Sequence, residues 1–406
     1  MLRRVAQSAV HNLCRTRPER RILAIFIVWA IIFGGLMALD VLFIRDFIDS
    51  ELWPVTDISY YRYRTQAILD GQWLYCDIPC ESPPLIVYFM IPAQLANGGY
   101  LAYQLLFSLF CLLTAITLYW ALKSYDDDKA FMAGVAFLLV PVGVVETVVG
   151  IQDEPIVVWL FLLSILLGVK RKMRWSALAT AVGIWTKLIN SLYYPFLFRD
   201  AVGFKERVLH IGIICAFSLA VAVPYMIVCP WEFLRFPLFY LFSSGPDVGA
   251  TGGLSIWDFL EMGGIRLPGP FFLILTVSIL ILAYFIAFKR KMSTLKGMLL
   301  VLTVFTVIYS RSAAGYFMLP ISLLLLWGVE DRQIMIRCGI IYLPLITSAL
   351  FSRSNPSGAP YLEVEYGWVI GAILQLITLC LLIDATRRAL GTENFVDRRI
   401  RVEAVK

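Results

Sequence analysis

The sequence predicts an all-α polytopic membrane protein, on two observations. Of 406 residues, 60% are hydrophobic and only 16% are charged, with a mean hydropathy of +0.77. A soluble domain of that size could not cover so much apolar surface. The apolar residues also form continuous helix-length runs, whereas an outer-membrane barrel alternates apolar and polar positions. The net charge of +6 sits in short clusters between these runs, as topology anchors do, and does not form a nucleic-acid surface.

Residues 1–21 form a basic N-terminus with six Arg before Ile22. The uncharged run Ile22 to Leu39 is too long for a signal-peptide core, so it is expected to remain as an anchor with the N-terminus in the cytoplasm. Apolar spans lie at 22–44, 100–122, 130–150, 154–169, 208–229, 269–288, 294–310, 314–329, 335–351 and 366–386. Two runs are shorter: 84–97, and 175–198, which Lys187 interrupts. At ~20 residues per span these make about 11–13 crossings. They form one transmembrane domain over 22–386, without an internal repeat, followed by a basic tail at 387–406.

Basic loops mark the inner side: Lys170-Arg171-Lys172 with Arg174, Lys289-Arg290-Lys291 with Lys296, and the tail. The complementary loops are acidic. Loop 45–83 carries seven acids against three Arg, and loop 230–268 four against two. Loop 352–365 is acidic as well, so the three share the outer face. Parity then requires that one of four runs before Lys170 is not a full crossing. The best suspect is 84–97, ~20 Å long if helical. By the same reasoning 175–198 becomes two half-length helices meeting at Lys187 on the outer side.

Loop 45–83 is the longest polar interruption. Asp57 opens a predicted helix, Asp57 to Asp70, with Ile58, Tyr61, Thr65 and Ile68 near one face, as in a membrane-surface helix. Asp57 is either a helix N-cap or a fixed carboxylate for chemistry, and the two are compatible. Asp77 and Glu81 flank Cys76 and Cys80. They are either a solvated acidic loop or a second acid group beside Asp57, able to share a hard divalent cation or divide acid and base roles. A Cys76–Cys80 disulfide is compatible with an oxidising exterior.

Asp153 and Glu154, in GIQDEP, fit an ordinary turn into a helix that carries Pro155 in its first turn, but two acids at the mouth of a membrane domain are costly if partly buried. Lys187 is a cation in an apolar run; it is either functional or snorkels to the interface. Arg311 is disfavoured on the outer side unless an anion pairs with it, so Lys187 and Arg311 together point to a phosphate at the membrane surface. Both His11 and His210 fall on the inner side, so an outer base must be a carboxylate. There is no Walker, GxGxxG or nucleophile-elbow motif, and no Cys/His metal set.

Taken in order, Asp57, GQWLYCDIPCESPPLIVYF, GIQDEP, the Lys187 segment, TGGLSIWDFL and RSAAGYFMLP resemble the GT-C-fold glycosyltransferases, in the branch that uses polyprenyl-phosphate-linked mannose. The resemblance covers most of 20–330. It implies a GT-C-like helix bundle whose extracytoplasmic first loop bears membrane-surface helices. The implied activity is inverting transfer of a sugar, with mannose leading, from a polyprenyl-phospho-sugar donor to a glycan, glycolipid or protein acceptor outside the plasma membrane. Asp57 takes the place of the catalytic base. Asp153 and Glu154, with Asp77 and Glu81, are candidates for a second acidic site that holds acceptor hydroxyls or a divalent cation such as Mg or Mn. Lys187, Arg311 and Tyr316 fall where the carrier phosphate is held. CDIPCES departs from the commoner aromatic run before Pro-Pro, and no second late basic group is identifiable. The rival expectation is a transporter or flippase of a lipid-linked saccharide; it would use the same cations, but the polar residues gather at one face and not along a mid-membrane path.

Overall fold

The computed structural model describes residues 18–47, 56–235, 255–257, 269–309, 312–351 and 366–405. These residues are helical, with no strand beyond an isolated bridge between Leu74 and Ile78. The protein is an all-helical membrane protein. Among the described residues, five helices are long and apolar enough to cross a bilayer, and a sixth crossing arises if one bent pair counts as a single span. Four shorter apolar helices join them, so the described residues give five or six spans by length and composition where the apolar runs led to an expectation of about 11–13.

Helix α1 (Pro18–Leu39) runs on through a π-helical turn at Asp40–Ile44. Surface helix α2 (Ile58–Leu69) buries Ile58, Tyr61 and Thr65 along one face, and Ala67 near its end. Helix α3 (Pro84–Leu95) starts at a proline, where the missing N–H costs nothing. Its 12 residues reach only ~18 Å, short of a bilayer core, as expected for 84–97. Helix α4 (Tyr100–Leu122) is the buried central span. Helices α5 (Asp127–Leu139) and α6 (Pro141–Val148) are one broken span, bent by 46° where Pro141 cannot continue the ladder.

Helix α7 (Glu154–Val169) and helix α8 (Met173–Ile184) form an antiparallel pair. The chain breaks at Lys187, turns through a 3-10 segment (Leu188–Tyr193) and continues as α9 (Tyr194–Asp200). The 175–198 run is therefore two short pieces meeting at Lys187, as expected. Helices α10 (Gly203–Val228) and α11 (Gly269–Lys289) follow. Along α10, Leu219, Ile227 and Val228 present a bare apolar surface suited to lipid. Helices α12 (Thr294–Ile308), α13 (Met318–Gly328), α14 (Arg332–Ile340), α15 (Tyr342–Phe351), α16 (Gly367–Gly391) and α17 (Phe395–Val405) complete the chain. The run expected as one span over 335–351 is instead split at Ile341 into α14 and α15.

The main core fills the space between α1, α4, α5, α7, α12 and α13. A second core lies under α2 and joins Ile58, Tyr61, Leu74 and Tyr75 to Ile86, Tyr103, Ile156 and Tyr225. It seats the first loop firmly on the bundle. One covalent bond fixes it further: Cys76 pairs with Cys229, just past the end of α10. This corrects the Cys76–Cys80 pairing considered from sequence. Cys80 is free and buried, with its thiol directed at the Ser82 carbonyl (3.3 Å). The near neighbour is only four residues along the chain, but the partner lies 153 residues away.

Candidate functional site

The site forms where three chain breaks meet: the start of α2, the turn into α7, and the break at Lys187. Asp57 precedes the first residue of α2, yet its side chain makes no capping hydrogen bond. The carboxylate is thus not spent on holding the helix. It keeps an exposed face, but the protein crowding its other side raises its carboxyl above the ordinary aspartate range. The negative charge of Asp153 raises it further, while Lys187 and Arg64 pull it down. The buried Tyr61 hydroxyl feels Asp153, Asp57, Glu154 and Lys187 together and is held well above the usual tyrosine range, chiefly by burial. Asp57, Tyr61, Asp153, Glu154 and Lys187 therefore share one electrostatic neighbourhood.

The turn into α7 is tight. Gln152 N donates to the Glu146 carbonyl (3.0 Å), and Ile151 adopts φ +48°. A fully buried β-branched residue in the left-handed region is strained, and the surrounding packing must hold it there. The strain positions Asp153 and Glu154 immediately afterwards. Glu154 is only 3% exposed. One of its oxygens accepts from Lys187 Nζ at 2.7 Å; the other, Oε2, is buried with no hydrogen-bond partner.

Lys187 takes extended backbone between α8 and the 3-10 segment. Its ammonium bridges Asp153 Oδ1 (2.9 Å) and Glu154 Oε1 (2.7 Å) and lies 5.0 Å from the centre of the Tyr316 ring. Lys187 does not snorkel: it is a largely buried ion-pair partner. Leu85 N donates to the Trp185 carbonyl (3.1 Å), which ties the break to the start of α3. A Cβ at Gly315, beside Tyr316, would lie 2.6 Å from Glu154 Cδ and Oε2, so the Glu154 carboxylate would have to move to admit it.

The structure thus brings Asp57, Asp153, Glu154, Lys187 and Tyr316 together. It does not bring Asp77 or Glu81 among the charges that act on Asp57. Asp77 is exposed and accepts from Trp73 N (2.7 Å), closing its own turn. Glu81 is ion-paired to Arg64 and ties the loop back to α2. Arg311 lies outside the described residues, as does His11. His210 is buried in α10 and is not among the groups that act on Asp57 or Tyr61.

Among the described residues no group of three or more His, Cys, Asp or Glu converges as metal ligands. Lys187 Nζ already occupies the position between Asp153 and Glu154 that a divalent cation would take.

One group escaped the sequence. Asp40 falls inside the expected 22–44 span and Arg45 just beyond it, and both are buried and ion-paired at 2.9 Å. Gln104 donates to Asp40 Oδ2 (2.6 Å) and to the Val148 carbonyl (2.8 Å). Arg45 donates to the Val149 carbonyl (3.0 Å) and stacks on Tyr100. This network clamps α1 and α4 to the end of α6, two residues before the strained Ile151. The signal available was an i, i+5 pair of opposite charges at a span end, matched to the π-helical turn that carries it.

Comparison with known protein families, curated proteins and solved structures finds no match to this chain.

Proposed function

We propose that the protein is a membrane glycosyltransferase of the GT-C type. It would move a sugar, mannose first, from a polyprenyl-phosphate carrier to an acceptor hydroxyl on the extracytoplasmic face of the plasma membrane. The observation that carries this reading is the uncapped Asp57 carboxylate beside the buried Asp153–Lys187–Glu154 triad. A helix-start aspartate serving only structure would bond its own helix; this one is left available. Its raised carboxyl makes it a better proton acceptor than an ordinary aspartate. The Cys76–Cys229 disulfide supports an oxidising exterior for this face.

In the proposed step, the acceptor hydroxyl gives its proton to Asp57 as its oxygen attacks the anomeric carbon. The bond from that carbon to the carrier phosphate oxygen breaks, and polyprenyl phosphate leaves with the electron pair. Attack from the opposite side inverts the anomeric centre. The unpartnered Glu154 Oε2 is suited to accept from a hydroxyl of donor sugar or acceptor.

Lys187 is neutralised by two carboxylates, so the cluster as it stands is net negative. Such a charge favours hydroxyl donors over phosphate. Carrier-phosphate binding would then fall mainly to Arg311, with Lys187 contributing only if it turns from its acids, and Tyr316 supporting Lys187 through its ring.

The test is to incubate the purified protein with polyprenyl-phospho-mannose and an acceptor-containing envelope extract. Release of polyprenyl phosphate with glycosylated product is expected. Movement of the intact lipid-linked saccharide across vesicles, with no chemical change, would support the transporter instead.

A further inference from the structure

At the other end of α7, the two Lys-Arg-Lys segments meet around a cavity. The 16 residues of α7 put this end about 24 Å along the helix axis from Glu154. The segments fold alike. In each, a helix ends and the next residues turn through a left-handed basic residue, Arg171 (φ +58°) and Lys291 (φ +49°). In each, two backbone amides close the helix end: Arg171 N to Gly168 O (2.9 Å) with Lys172 N to Leu167 O (2.8 Å), and Lys291 N to Phe288 O (3.0 Å) with Met292 N to Ala287 O (2.9 Å). Neither position holds the glycine that this conformation prefers. Basic side chains are kept at both despite the strain.

The cavity has a volume of about 870 Å³, and its lining carries seven basic and three acidic side chains. The three acids are already engaged. Asp200 pairs with Arg199 and accepts from Thr294; Asp397 accepts from Ser293 and Asn394; Glu393 pairs with Arg401. Lys170, Arg171, Arg290, Lys291 and Lys296 have no carboxylate ion-pair partner among the described residues. The Lys170 ammonium is held below the usual lysine range by burial first, and then by Lys172 and Lys123 on neighbouring turns. Topology anchoring requires basic residues in these loops, but it does not require them to converge on one cavity while its acids are tied up elsewhere.

We propose that this cavity binds a phosphate-bearing anion of headgroup size, held between the 170–171 and 290–291 turns and Lys296. Two sources share that chemistry: the headgroup of an anionic membrane phospholipid, and a soluble phosphate or diphosphate. The site is independent of the sugar-transfer proposal, because no residue is common to both.

The experiment uses the full chain, in nanodiscs of phosphatidylcholine with and without phosphatidylglycerol, and in detergent with and without inorganic pyrophosphate. Thermal unfolding is followed across a titration of each anion. Wild type is expected to be stabilised, and the effect should weaken with salt. The Arg290→Gln/Lys291→Gln variant should lose about 30-fold in apparent affinity, from two cations at the membrane surface. Lys170→Gln, at the other turn, should lose about 5-fold. Lys205→Gln, exposed and outside the cavity, should match wild type. A response to phosphatidylglycerol alone assigns the site to a lipid headgroup, and a response to pyrophosphate alone assigns it to a soluble anion. No response to either, or equal responses in the cavity variants and Lys205→Gln, overturns the proposal.

Discussion

Lys187→Met is the most informative perturbation of the triad. Lys187 Nζ lies 2.7 Å from Glu154 and 2.9 Å from Asp153, and Glu154 is almost fully buried. At these distances and an effective dielectric near 20, each pair attracts by about 6 kcal/mol before desolvation is subtracted. Desolvation of three charged groups removes much of that, so the net worth of the triad is small. Removing the cation alone is different, because it leaves two buried carboxylates side by side. That change should cost about 3–5 kcal/mol. Adding Glu154→Gln to Lys187→Met should recover about half, since the more buried of the two stranded charges is gone and the repulsion between them with it. Chemical denaturation in mixed micelles reads both values as a double-mutant cycle. If Lys187→Met falls within 1 kcal/mol of wild type, or the second change deepens the loss, the triad is not the buried ion cluster described here.

Three further outcomes follow from named contacts. Gly315→Ala should push Glu154 off Lys187, costing about 1–3 kcal/mol in stability as overpacking does and more than 10-fold in transfer rate; a silent change would show that the fit is slack. Cys76→Ser/Cys229→Ser should lower stability by about 2–5 kcal/mol, with reductant producing the same loss in wild type and none in the variant, while Cys80→Ser should leave stability within ~1 kcal/mol. Asp57 carries a signed pH prediction. Its carboxyl is raised in the folded state, so its contribution to stability is present below the unfolded value near 3.9 and is lost as pH rises through the folded value. Asp57→Asn should therefore be at least as stable as wild type at neutral pH, with an advantage that shrinks on acidification. The acid limb of wild-type activity should lie above the ordinary aspartate range.

The helices were legible because apolar runs and chain breakers were sharp. Pro84 starts α3, Pro141 bends the α5–α6 span, and Lys187 breaks the 175–198 run where a charge in an apolar stretch demands one. Asp57, Asp153, Glu154 and Lys187 were legible as exceptions to hydrophobicity. Their pairing was not. A sequence shows that Lys187 needs an anion, but only the meeting of the α7 turn with the α8 break shows that two protein carboxylates supply it. Asp77 and Glu81 looked equivalent to Asp57 by charge and place. They differ only in their neighbours: a backbone amide for one, and Arg64 for the other. Cys229 could not be matched to Cys76, because long-range pairing depends on where α10 ends against the first loop. Asp40 and Arg45 were hidden by position, since charges at the end of a span usually meet water.

The measurement closest to the central claim is the rate of sugar transfer by Asp57→Asn, in membranes and with a polyprenyl-phospho-sugar donor. The neutral side chain keeps the shape of the aspartate and removes only the proton acceptor. Thermal unfolding of the same preparation confirms that the variant is folded. Loss of transfer by 10²-fold or more, with stability unchanged or raised, is the predicted result. Near-wild-type transfer from a folded Asp57→Asn protein would contradict it.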